Sequence, residues 1–341
     1  MLRILLIFLS IIGFGLPGLA QDPVFSQFYA APLQVNPAFA GITYAPRLTV
    51  NYRNQWPSWP NAYVTYSATY EQPLEELNSG LGLLVMADVA GDGVYRTNRI
   101  SGVYGYQVQV TRDFFVKFGV EAGIIQNRLD WDQLLFLDQL DPLTGATDGE
   151  GNPNLSEETR PDQLSSTAVD ISAGILAYGG NFYGGFSVKH LNRPNENLLE
   201  VNQNLALGLP LRFTVHGGVE FELERGNNRR RPAFISPNVM YIQQGDFGQV
   251  NIGAYAGLGQ IYGGLWYRHT LENADAAIGL VGFHYGVMRI GYSYDFTVSG
   301  LSNGNTGGTH EISLTFSFED SARLQAKRRR SRYNDCFKMF N

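Results

Sequence analysis

Ile312-Ser313-Leu314-Thr315-Phe316-Ser317-Phe318 alternates strictly between large apolar residues and small hydroxyl residues. Successive side chains on a β-strand point to opposite faces, so this stretch has one oily face and one wet face. Val64-Thr65-Tyr66-Ser67-Ala68-Thr69-Tyr70 repeats the pattern. A third copy sets Phe213, Val215, Val219, Phe221 and Leu223 against Thr214, His216, Glu220 and Glu222. Gly174, Gly217 and Gly253 are among the glycines that stand where such runs would carry a side chain. From Pro46 onward about fourteen such segments follow one another, each roughly ten residues long. They begin near Arg47, Tyr63, Gly80, Arg99, Phe114, Val169, Phe182, Arg212, Phe234, Gly248, Ile261, Asp275, Val287 and Thr309.

An even number of antiparallel strands returns both ends of a closed barrel to one side, with long loops on the other side and short turns on the same side. The connections follow this rule. Thr111–Asp113, Gly179–Asn181, Gly259–Gln260 and Gly286 are short and even-numbered, while Leu129–Thr167, Asn192–Pro210 and Val298–Gly308 are long and odd-numbered. Glu224–Pro232 and Gln244–Asp246 depart from it, the first being long for an even turn and the second tight for an odd one. A β-sandwich also alternates, but its strands run nearer five or six residues. No fixed repeat marks a propeller. The expected fold is all-β: a transmembrane, antiparallel, up-and-down barrel of about fourteen strands over 46–320. Before it stands a Pro- and Asn-rich non-strand arm at 21–45, and after it a short basic tail at 321–341 containing Lys327-Arg328-Arg329-Arg330.

Composition agrees with this reading. Charged residues are 16% of the chain, aromatics 13%, and mean hydropathy is near neutral at −0.14, as one oily and one wet face would average. Residues 1–20 read as an export leader, with Arg3, an apolar run from Ile4 to Gly15, and small residues Gly18 and Ala20 before Gln21. Cys336 is the sole cysteine, so no intrachain disulfide forms. The net charge of −6 argues against a nucleic-acid partner.

Four short motifs then resemble one family. Asp22-Pro23, Phe25-Ser26-Gln27 and, after a gap, Asn36-Pro37-Ala38-Phe39-Ala40-Gly41 are similar to the QDPxFSQ and NPAxAG opening of PorP/SprF-type membrane proteins. Tyr52-Arg53-Asn54-Gln55-Trp56 resembles that family's YRxQW element. Gly291-Tyr292-Ser293-Tyr294-Asp295 and Gly308-Thr309-His310-Glu311-Ile312 resemble its GYSYD and GSHEI elements, with Thr309 in place of Ser. Cys336-Phe337-Lys338-Met339-Phe340 resembles its CPxF ending, with Phe337 in place of Pro. The resemblance implies an outer-membrane component of type IX secretion and gliding in Bacteroidetes-like bacteria. It would support secretion or surface retention of cargo proteins, and its partners would be a cargo C-terminal domain, other secretion components and outer-membrane lipid.

Chemistry is sparse. The five histidines show no metal-ligand spacing, and no phosphate-binding Gly loop or nucleophile elbow is present, so no cofactor, metal or catalytic residue is assigned. His216, Glu220 and Glu222, with Lys117, Glu121 and Arg268, read as a hydrated lumen network. The arm's Phe25, Phe28, Tyr29 and Phe39 suit either a plug in the barrel mouth or a looser arm with aromatics at the interface. Arg53, Gln55, Trp56 and Trp59 at the first outer turn are candidates for partner contact, beside the plainer role of Trp in an aromatic girdle. Asp138, Asp141, Asp148 and Glu150 lie in the longest connection, the best candidate for an exposed partner surface. A small-molecule channel is the alternative function.

Overall fold

The computed structural model describes residues 21–59, 63–148, 150–196, 198, 208–223, 233–271, 273–299 and 306–318. The expected leader, the basic tail and the 224–232 connection lie outside the described residues. The strands are β1 (Arg47–Gln55), β2 (Tyr63–Leu74), β3 (Ser79–Ala90), β4 (Tyr95–Gln109) and β5 (Phe114–Leu129). They continue as β6 (Ser165–Gly179), β7 (Phe182–Lys189), β8 (Arg212–Val219), β9 (Phe221–Glu222) and β10 (Phe234–Gln244). The last are β11 (Phe247–Leu258), β12 (Ile261–Thr270), β13 (Ala274–Tyr285), β14 (Met288–Thr297) and β15 (Thr309–Ser317).

Apart from β8 and β9, which both pair with β10, each strand pairs antiparallel with its neighbour in sequence, and β1 pairs β15 in the register Arg47–Ser317 to Gln55–Thr309, which closes the ring. β8 and β9 are one stave. Asn238 faces Gly218 and Ile235 faces Phe221, so the register runs unchanged through the break. Opposite the break lies Pro237, which has no N–H to donate to a ladder. The barrel therefore has fourteen staves, as the alternation predicts. The largest differences in strand start are at Tyr95 and Ser165, expected at Arg99 and Val169. There the ladder continues through polar residues, Arg96–Asn98 and Ser165–Thr167, where no oily face remains to reveal it.

Burial is inverted relative to a soluble protein. On β5, Phe118 (49% exposed), Val120 (54%) and Ile124 (46%) point outward, while Lys117, Glu121 and Asn127 are buried on the inner face. On β15, Ile312 points outward and Ser313, Thr315 and Ser317 point in. An oily exterior around a polar wall is what a bilayer selects for, because closure leaves no unpaired ladder edge. No helix among the described residues is long and apolar enough to cross a membrane; the crossing is made by strands.

The lumen holds the arm. After Gln21, residues form a 3-10 turn at Phe28–Ala30, one α-turn at Pro32–Val35 and a second 3-10 turn at Pro37–Phe39. Pro32 and Pro37 each open their turn, where a missing N–H costs nothing. Asn36 caps the last turn by accepting the Ala38 N–H on its Oδ1 at 2.8 Å. From Phe25 to Leu33 and from Asn36 to Ala40 almost every residue is buried.

Candidate functional site: the arm and its seat

The arm runs the length of the barrel. Its first residues lie at the end that carries the long loops. There Asp22 meets Arg99 near the start of β4 at 3.1 Å, His190 just past β7 at 2.7 Å, and Arg212 at the start of β8 at 3.4 Å. The Asp22 N–H donates to Gln244 at the end of β10. At the short-turn end, Lys117 donates to the Ala40 carbonyl at 2.8 Å. Gly41, with φ of +64°, packs so closely on Gly80 that a Cβ on either would strike backbone.

Between these ends lies a buried ion cluster. Arg53 pairs with Glu311, Arg268 lies 3.0 Å from Asp295, and the Ser26 hydroxyl donates to Asp295 at 2.6 Å. Arg53 and Arg268 both donate back to the Ser26 oxygen. Glu311 also accepts the successive main-chain N–H groups of Ser26 and Gln27 at 2.6 and 2.9 Å. Below it the filling is aromatic. Phe28 meets Trp266 edge-on at 4.5 Å, Tyr29 lies against Tyr255 and Tyr262, and Phe39 stacks on His216 at 5.3 Å. Asn36 reaches the wall through its amide nitrogen, donating to Ile175 O at 3.0 Å and approaching His216 Nε2 at 3.1 Å.

Several inward glycines are spaces for this arm. A Cβ on Gly119 would overlap the Pro37–Ala38 backbone, and one on Gly291 would press on Tyr29 and Gln27. Sequence reading gave strand glycines no such role, because nothing local distinguishes a glycine facing lipid from one facing a packed segment.

The motif residues thus separate into two sets. Asp22, Ser26, Gln27, Asn36, Gly41, Arg53, Gly291, Asp295 and Glu311 converge on the arm and its seat, although they come from both ends of the chain. Pro37 opens a turn of the arm, and Pro23 and Phe25 lie in its partly and fully buried opening. Gln55 accepts from Arg53 at 3.3 Å. Tyr292, Tyr294 and His310 are elsewhere, grouped on the outward face with Tyr292 Oη 2.9 Å from His310 Nδ1. Trp56 and Trp59 pack on each other at 5.7 Å at a long-loop turn, with Trp56 at a φ of +58°.

The expected hydrated network is corrected in kind. Lys117, Glu121 and Arg268 do face inward, but they are buried against the arm or against other wall residues: Lys117 donates to Ala40 O, Arg268 to Ser26, and Glu121 accepts from Ser101 and Lys189. His216 is covered by Phe39, and Glu222 is exposed at the strand end. Alternation reports which face a residue takes and cannot report what fills that face.

At the mouth, burial works to depress the His190 imidazole, but Asp22 and Asp170 outweigh it and raise its pKa above the ordinary 6.5. Burial works to raise Asp22, yet Arg99, His190 and Arg212 hold its carboxyl well below the ordinary carboxylate range. In the long 130–164 connection the carboxylates serve the loop's own turns. Asp138 accepts from Ser156 and the Glu157 N–H, Asp141 from the Leu143 and Thr144 N–H groups, and Asp148 from Glu150 and Asn152. These bonds lower all three pKa values. Leu137, Leu143 and Leu155 stand almost fully exposed among them, at 88%, 95% and 92%.

A closed fourteen-stave barrel with an oily exterior and a filled polar lumen defines an outer-membrane β-barrel protein. The chain belongs to the family of type IX secretion system membrane proteins PorP/SprF, whose pattern matches residues 18–316. Among solved structures it is similar in fold to the toluene transporter TbuX of Ralstonia pickettii, with a TM-score of 0.50, 12% identity, and 84% of this chain and 93% of that one covered. It is also similar to the P. putida toluene transporter TodX, with a TM-score of 0.45, 9% identity, and 83% and 92% covered. No curated protein matches the chain in sequence. The family and the fold place the protein in the outer membrane.

Proposed function

We propose that this barrel serves type IX secretion, and with it gliding, as a recognition component that binds a secreted cargo protein without a chemical step. The long-loop end faces the exterior, the short-turn end the periplasm, and the oily band meets outer-membrane lipid. The observation that carries this reading is the arm, buried from one mouth of the lumen to the other. A filled lumen leaves the mouth and its loops as the surface a partner meets. The 130–164 connection suits that role because its backbone is pre-ordered and its leucines are exposed, while its acidic residues favour a basic partner surface. Deleting the gene tests the proposal: one or a few surface proteins should be retained in the cell or shed to the medium. Unchanged secretion and motility would overturn it. A channel for small molecules is the second reading; the shape shared with TbuX favours it, and the arm weighs against it.

A further inference from the structure

The wall of the lumen reads the arm through its main chain as well as through its side chains. Gln244 takes the N–H of Asp22, Glu311 takes those of Ser26 and Gln27, Asn51 donates to the Ala30 carbonyl, Ser187 to that of Val35, and Lys117 to that of Ala40. Contacts of this kind fit any chain with the same path, whatever most of its side chains are. Ionised groups of the wall hold two of the arm's side chains: the Asp22 carboxylate, by Arg99, His190 and Arg212, and, four residues later, the Ser26 hydroxyl, by Arg53, Arg268 and Asp295. Neutral wall groups hold Gln27, Tyr29 and Asn36.

The arm also leaves the seat incompletely used. Arg99 Nε, Arg212 Nε, Gln244 Nε2, Gln249 Nε2 and Asn251 Nδ2 are buried donors without an acceptor among the described residues. All five belong to the long-loop half of the wall, four of them on the neighbouring strands β8, β10 and β11. The orientation of two amides is fixed by their oxygens, since Gln244 Oε1 accepts from Asp22 and Asn251 Oδ1 from Arg268. Buried donors without acceptors destabilise the arrangement that leaves them so. They mark capacity for carbonyl or carboxylate oxygens that this occupant does not supply. The arm is joined to the barrel at its short-turn end, through residues leading into Arg47, and the residues held by Arg99 and Gln244 are the first that a chain entering the long-loop mouth would meet.

We propose that the lumen is a peptide-binding channel occupied in cis by residues 22–41, and that a segment of a partner protein able to follow the same turned path exchanges with the arm from the long-loop mouth. Such a segment carries Asp or Glu at the first seat and Ser or Thr four residues on. This rests on the reading of the barrel as a recognition component, and supplies the chemistry its ligand needs.

The test uses the full-length chain with Val24→Cys as a reporter and Cys336→Ser to remove the native thiol. The probe is a synthetic peptide of residues 21–41. With excess peptide, labelling of the reporter by a bulky maleimide should accelerate at least about tenfold, since the arm's opening residues leave the lumen. The same peptide carrying Asp22→Asn and Ser26→Ala should give no acceleration. Equal rates with both peptides, or no change with either, overturn the proposal. Should the reporter variant fail to fold, fluorescein-tagged peptide on the unaltered chain replaces it; saturable binding competed by untagged peptide supports exchange, and no binding overturns it. The two readings fail separately. A silent exchange assay alongside lost secretion in the deletion strain removes the exchange and keeps the recognition role, while exchange alongside intact secretion removes the recognition role.

Discussion

The main-chain N–H of Ser26 donates to the Glu311 carboxylate at 2.6 Å, joining residues 285 positions apart in the chain. One carboxylate holds two successive N–H groups of the arm and the Arg53 guanidinium, so arm and barrel closure share an anchor. Breaking a buried pair from one side strands the other charge, at a cost of about 3–5 kcal/mol. Glu311→Gln should therefore lower the midpoint of barrel unfolding, read as heat-modifiable gel mobility, and expose the arm to protease before the barrel opens. An unchanged arm lifetime would show that Glu311 does not hold it.

Gly119 offers a test that touches no charge. A Cβ there overlaps the Pro37–Ala38 backbone, which cannot give way as a flexible side chain would. Overpacking of this kind costs about 1–3 kcal/mol or more. Gly119→Val should expel the middle of the arm, raising its proteolysis at least tenfold while the strands remain folded. A control at Gly102, where an added Cβ meets nothing within 4 Å, should leave the arm protected.

The alternation of the sequence was enough to place all fourteen staves, because lipid outside and polar residues inside repeat at every second position. It could not place the arm. Asp22 and His190 are 168 residues apart, and nothing near either announces the other. Asp295 and Glu311 stand out only as part of a motif, and their role becomes visible once Ser26 lies between them. The acidic loop was legible as a long acidic loop; its internal turns, such as the Asp138 bonds to Ser156 and Glu157, required coordinates.

Arm docking should depend on pH in two directions. His190 has a raised pKa, so its contribution is complete below its ordinary value of 6.5 and is lost as pH rises through the raised one. Asp22 has a lowered pKa, so its contribution is complete above its ordinary 3.8 and is lost as pH falls through the lowered one. Protease protection of the arm should be greatest between these limits and should decline toward alkaline pH. His190→Gln should remove the alkaline decline; a decline that persists in this variant would assign it to another group.

The 130–164 connection should be separable from the barrel. Its polar bonds are largely internal, and three of its carboxylates, Asp138, Asp141 and Asp148, serve its own turns. Replacing 138–158 by a short Gly-Ser linker should leave thermal stability of the barrel unchanged within about 1 kcal/mol, as expected for an exposed loop. Crosslinked partner recovered from intact cells should fall severalfold. Equal recovery would remove this loop from the contact surface.

Single-channel recording in planar bilayers tests the filled lumen most directly. The intact chain should be silent, and a chain lacking residues 22–41 should conduct steadily through a lumen that fourteen staves leave open. A large, steady pore in the intact chain would contradict the arm's place in the barrel and with it the account of this protein as a recognition component.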